Sequence, residues 1–538
     1  MASEQTDKSQ HKDIQLISNN DGYIAPAKDI DTDSDEGLLE NIGYQQEFKR
    51  EFTRISTLSY AVAVQGVLGS VSATWSSPFI AGGPATAIWT WFTGGILAFC
   101  IALSVAELIS SYPTAGGIYF VSKYVFPEDK VPMAAWLIGW SNILGQTAGV
   151  ASVGYSVGQM LLALVAVGMS DGNGNLTYVP TAAHTVAVTI CILVIQGLYC
   201  SLPSKYLSKS IQWFAPVNIL GSIAICIVIL VFTDNKLPAA EVFGHVQDTS
   251  GWNNAGFSFL IGYLCVAWSF TDYDATAHMS EEIQNAAISG PIAIIQSLLI
   301  TWILGLLLSI SYGFCSADPS SLSNSQFGNP VTQIYINAVG IKGAMALWIW
   351  VVLVQFFTGA TAMLSDTRTV FALARDEMFP FSNILRKVIP LTGTPLYSVW
   401  TVVIVCCLLN LIALGSTQTI NGIFGVTAPA CDLSYIAVII GRLYYDRQLP
   451  ISKGPFSLGR FQKPINYIAC TWVIFISVIL FLPPTYPVTS ENMNYAVVIV
   501  VAIVVFATAW WYIEAKKRYI GPRNEANMDN DPSMAAYT

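Results

Sequence analysis

The stretch AWSFTDYDATAHMSEE, residues 267–282, closes an apolar run that begins near Phe257 and places two aspartates, a histidine and two glutamates in its last eleven residues. An ionised carboxylate at the centre of a bilayer costs about 2.5–3.5 kcal/mol on insertion scales. Asp272 lies fifteen residues beyond Phe257, roughly 22 Å along a helix that rises 1.5 Å per residue. That depth is past the midplane. Asp274 and His278 follow, and Glu281 and Glu282 are expected in the cytosol. An intact helix offers these carboxylates no polar surface. A helix that unwinds at Asp272 and lines a cavity does, and interrupted helices of this kind form the midplane sites of transporters. The other reading ends the span at Phe270, which leaves it fourteen residues long, short of the ~20 that cross a bilayer.

Composition sets the class around this stretch. Of 538 residues, 53% are hydrophobic and 11% charged, with a mean hydropathy of +0.53. A soluble domain carries about 25% charged residues. Twelve apolar spans are expected, at 57–80, 85–109, 133–167, 182–201, 210–233, 257–278, 289–314, 343–367, 395–414, 417–441, 465–484 and 494–514. The chain therefore reads as an all-α polytopic membrane protein, a twelve-helix domain over 55–515. Residues 1–54 read as a disordered acidic cytoplasmic tail and 516–538 as a second cytoplasmic tail. The net charge of −9 comes largely from KDIDTDSDEGLLE (28–40) and says nothing about partners. With the N-terminus inside, 23 of the 25 Lys and Arg fall on the cytoplasmic side and only Lys236 and Lys342 outside, as the positive-inside rule requires. The polar N-terminus resembles no cleavable signal. Ten cysteines sit mostly within apolar runs at no metal-site or disulfide spacing. The partner environment is a lipid bilayer, and nothing points to nucleic acid.

An interruption in the sixth span leads to the expectation of a matching one in the first. SYAVAVQGVLGSVSATWSSPF (59–79) carries Gln65, Gly66 and Gly69 in its middle. Glycine lets backbone unwind and a ligand approach closely; the alternative is a seam of close helix packing. The matching break five spans later favours unwinding. Gly154-Tyr155-Ser156-Val157-Gly158 matches the nucleophile-elbow pattern, which needs a strand before it and a helix after. This copy lies inside the third span, so it reads as small-residue packing. No H-E-x-x-H, paired-cysteine or phosphate-loop pattern is present. An enzyme, a metal site and a cofactor are therefore not expected.

Four motifs in chain order carry a resemblance. SSYPTAGGIYF (110–120), after Glu107, resembles the hallmark of the amino acid–polyamine–organocation transporters. TDYDATAHMSEEIQNA (271–286), TRTVFALARDEMFPFS (367–382) and GPFSLGRFQKPIN (454–466) resemble the fungal branch of that superfamily that includes GABA and choline permeases. The resemblance covers about residues 40–520. It implies a leucine-transporter-like fold with inverted repeats at about 57–233 and 257–441, and peripheral helices at about 465–514. It also implies secondary active transport by alternating access. Two departures stand out: many superfamily members have Gly at the position of Asp272, and some proton-coupled relatives have Lys where this chain has Asn218.

The candidate site follows from helix ends. The first break frees backbone N–H groups around Gly66, Val67, Gly69 and Ser70, at the positive end of a half-helix, to hold a carboxylate. The sixth break offers carbonyls, Thr271 and the Asp272 carboxylate to an amine, with Trp268, Phe270 and Tyr273 as a possible cation–π wall. Ion-coupling candidates are Glu107, Asn218, Asp274, His278 and Asp432, with a proton expected and sodium the alternative. Arg368, Arg375 and Asp376 read as gate or anchor charges. The expected function is import of a small amine-bearing solute, GABA or another amino acid. A choline, polyamine or other organocation permease is one alternative, and a nutrient receptor that does not transport is another. Asn175-Leu176-Thr177 is a glycosylation acceptor in an outer loop. The plasma membrane is expected, with the vacuolar membrane as alternative.

Overall fold

The computed structural model describes residues 34–42, 44–170, 176–247, 250–317, 319, 322, 325–327, 329–490 and 492–522. Asn175 lies outside them. Among the described residues eleven helices are long and apolar enough to cross a bilayer: Arg54–Thr74, Ser76–Ser111, Val131–Gly168, Ala182–Cys200, Ser204–Phe232, Ala286–Phe314, Pro330–Arg375, Leu396–Leu414, Ile420–Tyr445, Gly459–Phe481 and Ala496–Ile513. The shorter apolar helix Ala255–Ser269 stands between the fifth and sixth of these, where the sixth span is expected, and is numbered as the sixth. No strand occurs among the described residues; their only β pairing is two isolated bridges. All-helical architecture is the expected result for a chain that must satisfy its backbone inside lipid.

Span boundaries move where the backbone has a local reason to bend. Val131–Gly168 has 38 residues, about 57 Å at the helical rise, and overruns any bilayer core. The second helix begins at Ser76 but is non-helical at Gly82 and Gly83, directly before Pro84. AGGP (81–84) thus acts as a kink with proline opening the straight part. The eighth is likewise broken at Gly340, φ +68. The nucleophile-elbow pattern is a packing seam: a Cβ on Gly154 would sit 2.8 Å from Leu193, and one on Gly158 2.5 Å from Thr189, both on the fourth span.

Burial ranks the spans. The first is 89% buried and the last only 22%, so the first is enclosed by its neighbours while the twelfth faces lipid. The second packs along the seventh and the third along the eighth and tenth. The first span is divided at Gly66, and the sixth ends at Ser269 before a short turn, Ala275–His278.

The tail expected to be disordered through residue 54 is ordered near its end. Asp35–Asn41 is a helix capped by Ser34. Separately, Phe52 pairs in parallel with Ile283: Phe52 N donates to Glu282 O and Gln284 N to Phe52 O, both 3.0 Å. Arg50 Nη1 donates to Ser280 O (2.9 Å) and Ile283 O (2.7 Å). A polar composition does not reveal this, because the partner is the backbone of a segment more than 200 residues away.

Candidate substrate site

Gly66 takes the left-handed conformation, φ +44, ψ 53, and separates the helices Arg54–Gln65 and Val67–Thr74. Starting a new helix there leaves its first N–H groups without intrahelical acceptors. Leu68 N donates to Asn218 Oδ1 at 3.3 Å, and Ser70 Oγ donates back to Gln65 O at 2.8 Å. Asn218, an ion-coupling candidate from sequence, thus caps the half-helix with an amide oxygen. In the sixth span Ser269 ends the helix, Phe270 has φ −105, ψ 44, and Asp272 is left-handed at φ +57. A non-glycine residue there is uncommon and aspartate is among those that tolerate it. The break thus stands two residues from where a bland end of the span would fall.

Both breaks open on one small cavity of about 30 Å³. Its walls come from the first, third, sixth, eighth and tenth spans; Gln65, Ser70, Gln146, Trp268, Thr271, Asp272 and Thr427 line it. Asp272 Oδ1, both amide atoms of Gln65 and Thr427 Oγ1 are buried and make no hydrogen bond. An unpartnered buried polar group costs about 1–3 kcal/mol, more when charged. Four such atoms lie on this one small cavity, which makes it the candidate site.

The other sequence candidates divide. Gly66 and Gly69 do not line the cavity; a Cβ on Gly66 would stand 1.6 Å from Thr358 Oγ1, and one on Gly69 2.1 Å from Gln355 Oε1. They admit the eighth span against the first. Val67 is fully buried away from the cavity lining. Phe270 packs on Trp91, ring centres 5.0 Å apart. Tyr273 OH donates to Asp432 Oδ1 at 3.4 Å and its ring lies against Tyr435. Of the three candidate aromatics, Trp268 alone lines the cavity. Sequence reasoning left Gln65, Gln146 and Thr427 out of the site. Two glutamines in apolar spans are a usable signal; Thr427 carries none, since threonine is common at buried helix contacts.

Across the described residues the chain has no His/Cys/Asp/Glu group able to hold a metal. Residues 55–504 match the family model described as amino acid permease. The chain belongs to the amino acid permease family. An amino-acid permease of Schizosaccharomyces pombe is 42% identical over 505 residues, covering 94% of this chain and 92% of the relative. Amino-acid permease 2 of Neurospora crassa is 35% identical, over 94% and 92%. The GABA-specific permease of Saccharomyces cerevisiae is 30% identical, over 94% and 88%. The family is one of multi-pass membrane transporters, not of enzymes.

In this permease buried ion pairs tie the exit of the sixth span to the end of the eighth. Arg375 reaches Glu281 through two nitrogens, 3.0 and 3.2 Å, and Arg368 Nε lies 2.7 Å from Glu282 Oε1. All four side chains are at most 3% exposed, so Glu281 and Glu282 are not in bulk water as expected from sequence. Guanidinium groups from the end of the eighth span replace water around them. Glu107 lies in a similar setting: its carboxylate takes Arg442 Nη1 (2.8 Å), Ser457 Oγ (3.0 Å) and Leu458 N (2.9 Å). That ties the second span to the 454–458 segment and leaves Glu107 in an anchoring position. Asp274 and His278 stay together in the interior, Nε2 to Oδ2 3.3 Å.

Proposed function

We propose that the chain imports a small amino acid, GABA or another, by alternating access coupled to proton entry. The single observation that carries the reading is Asp272 Oδ1, buried and unpartnered on a cavity between two broken helices. A substrate ammonium supplies the missing donors. Gln65 and Ser70, which line the cavity on either side of the first break, face the substrate carboxylate, and Gln65 offers it an amide donor. A zwitterion uses both ends of the cavity, whereas choline or a polyamine uses Asp272 alone. The names of the Neurospora and Saccharomyces relatives also support an amino acid.

Alternating access then involves the ion pairs Glu281–Arg375 and Glu282–Arg368, which close the inner end in the state described. The inverted repeats at 57–233 and 257–441 give the two arrangements their symmetry. Both termini lie in the cytosol, on the evidence of the 23-to-2 distribution of basic residues. Tags at each terminus should be invisible to antibody on intact cells, and staining without permeabilisation would reverse the orientation. The plasma membrane is the proposed location.

The test of function is uptake of labelled GABA, proteinogenic amino acids and choline into proteoliposomes, with the lumen more alkaline than the bath. Accumulation of an amino acid that collapses with a protonophore is expected. Accumulation of choline or polyamine alone overturns the substrate class, and accumulation indifferent to the pH gradient overturns proton coupling.

A further inference from the structure

A chain of buried hydrogen bonds runs from the cavity to the closed gate, and His278 is its centre. Its Nδ1 lies 2.9 Å from Ala115 O. A carbonyl only accepts, so Nδ1 carries a hydrogen. The other nitrogen, Nε2, has two neighbours with opposite demands. Gln146 Nε2 stands 2.8 Å away and Asp274 Oδ2 3.3 Å away. Gln146 donates its other amide hydrogen to Asn142 Oδ1 (3.0 Å) and its oxygen accepts from Thr369 Oγ1 (2.9 Å), which fixes its –NH2 toward the ring. Asp274 already accepts from Tyr435 OH (2.5 Å) and Asn142 Nδ2 (3.4 Å), as a carboxylate does. His278 Nε2 therefore either accepts from Gln146, unprotonated, or donates to Asp274, protonated. It cannot do both.

We infer that His278 is the residue that carries the coupling proton, taken up and released at Nε2. This rests on the proton-symport reading above. A proton from cavity water bonds to Nε2; the imidazolium then donates to Asp274 and releases Gln146, a wall residue of the substrate cavity. When the inner end opens, the proton leaves Nε2 for water there and the neutral ring returns. The Ala115 carbonyl accepts from His278 Nδ1 in both ring states, and Ala115 N donates to Glu281 Oε1 at 3.1 Å, so the ring is held beside the carboxylate that pairs with Arg375. Gly117 presses this loop on the ring: a Cβ there would meet His278 Cε1 at 3.0 Å, at φ +51.

Other ionisable groups bear on the site. The eighth span brings Asp366, Arg368 and Arg375, the first Tyr60, the segment 117–125 Tyr119 and Lys123, and the tenth span Asp432 beside Tyr435. The opening stretch of the seventh, which packs on His278's turn, has no ionisable side chain. Asp366 is held by Thr147 Oγ1 at 3.1 Å, Asp432 by Tyr273, and both arginines by glutamates, so each has a partner of its own. The Nε2–Oδ2 pair is where a single proton chooses between two bonds.

The test uses the full chain in proteoliposomes with a pH-sensitive dye in the lumen, and as probe the amino acid that wild type accumulates. His278→Gln keeps an amide in place of the ring but binds no proton. It is expected to exchange substrate while losing substrate-driven lumen acidification, concentrative uptake and the pH dependence of exchange. Acidification and accumulation at wild-type levels would overturn the inference. If His278→Gln is not recovered, Gln146→Met decides. It removes the donor that favours the unprotonated ring, so the pH of half-maximal uptake should move to higher values; an unmoved or acid-shifted profile overturns the inference. Absence of acidification in wild type would instead overturn proton symport itself, which separates the two failures.

Discussion

Asp272→Asn is expected to raise the substrate concentration for half-maximal uptake by about 30-fold or more, with the protein still reaching its membrane. Losing one partner of a buried charge pair costs about 2–5 kcal/mol, and each 1.4 kcal/mol is a factor of ten in affinity. The pair is desolvated, because Asp272 is 9% exposed and its Oδ1 has no protein donor. Asparagine keeps the size, tolerates the left-handed backbone at φ +57, and removes only the charge. Strain therefore does not explain a loss. Uptake against substrate concentration, normalised to surface-biotinylated protein, measures the effect. A wild-type affinity in the variant would leave Asp272 a structural carboxylate and end the ammonium assignment.

The second large effect belongs to the first break. Gly66→Val should abolish uptake. A left-handed L-residue costs about 1–2 kcal/mol, and a β-branched one is a true outlier there. The Cβ would also fall 1.6 Å from Thr358 Oγ1 and 2.8 Å from Thr358 Cβ, an overlap that only backbone displacement relieves. Displacement here moves Gln65 on one side and the Leu68–Asn218 cap on the other. Combining Gly66→Ala with Thr358→Gly removes the overlap with Thr358 and leaves the conformational strain at 66 together with the cost, about 1 kcal/mol, of a glycine inside the eighth helix. It should recover part of the transport that Gly66→Ala alone loses. Equal activity of Gly66→Val and wild type would show that the break is dispensable.

Covalent chemistry and hydropathy were enough to decide the class of this protein. Apolar runs near twenty residues make twelve spans, lipid leaves helices as their only form, and Asp272 in one run demands a polar surface that an unbroken helix lacks. Glycine at 66 marks its partner for a similar reason, a backbone freedom that other residues lack. These are local properties, set within a few residues of where they are read. Their uses were not local. Gly66 and Gly69 admit the eighth span and do not form the cavity wall. Glu281 and Glu282, polar enough to be placed in water, are buried because Arg375 and Arg368 arrive from about ninety positions later. Glu107, a carboxylate in an apolar helix like Asp272, is anchored by Arg442 and the 454–458 backbone, while Asp272 Oδ1 is left without a partner. A carboxylate's role depends on which donors reach it, and those donors come from other spans. The tertiary structure alone decided which buried charges are satisfied by the protein and that Asp272 Oδ1 is not.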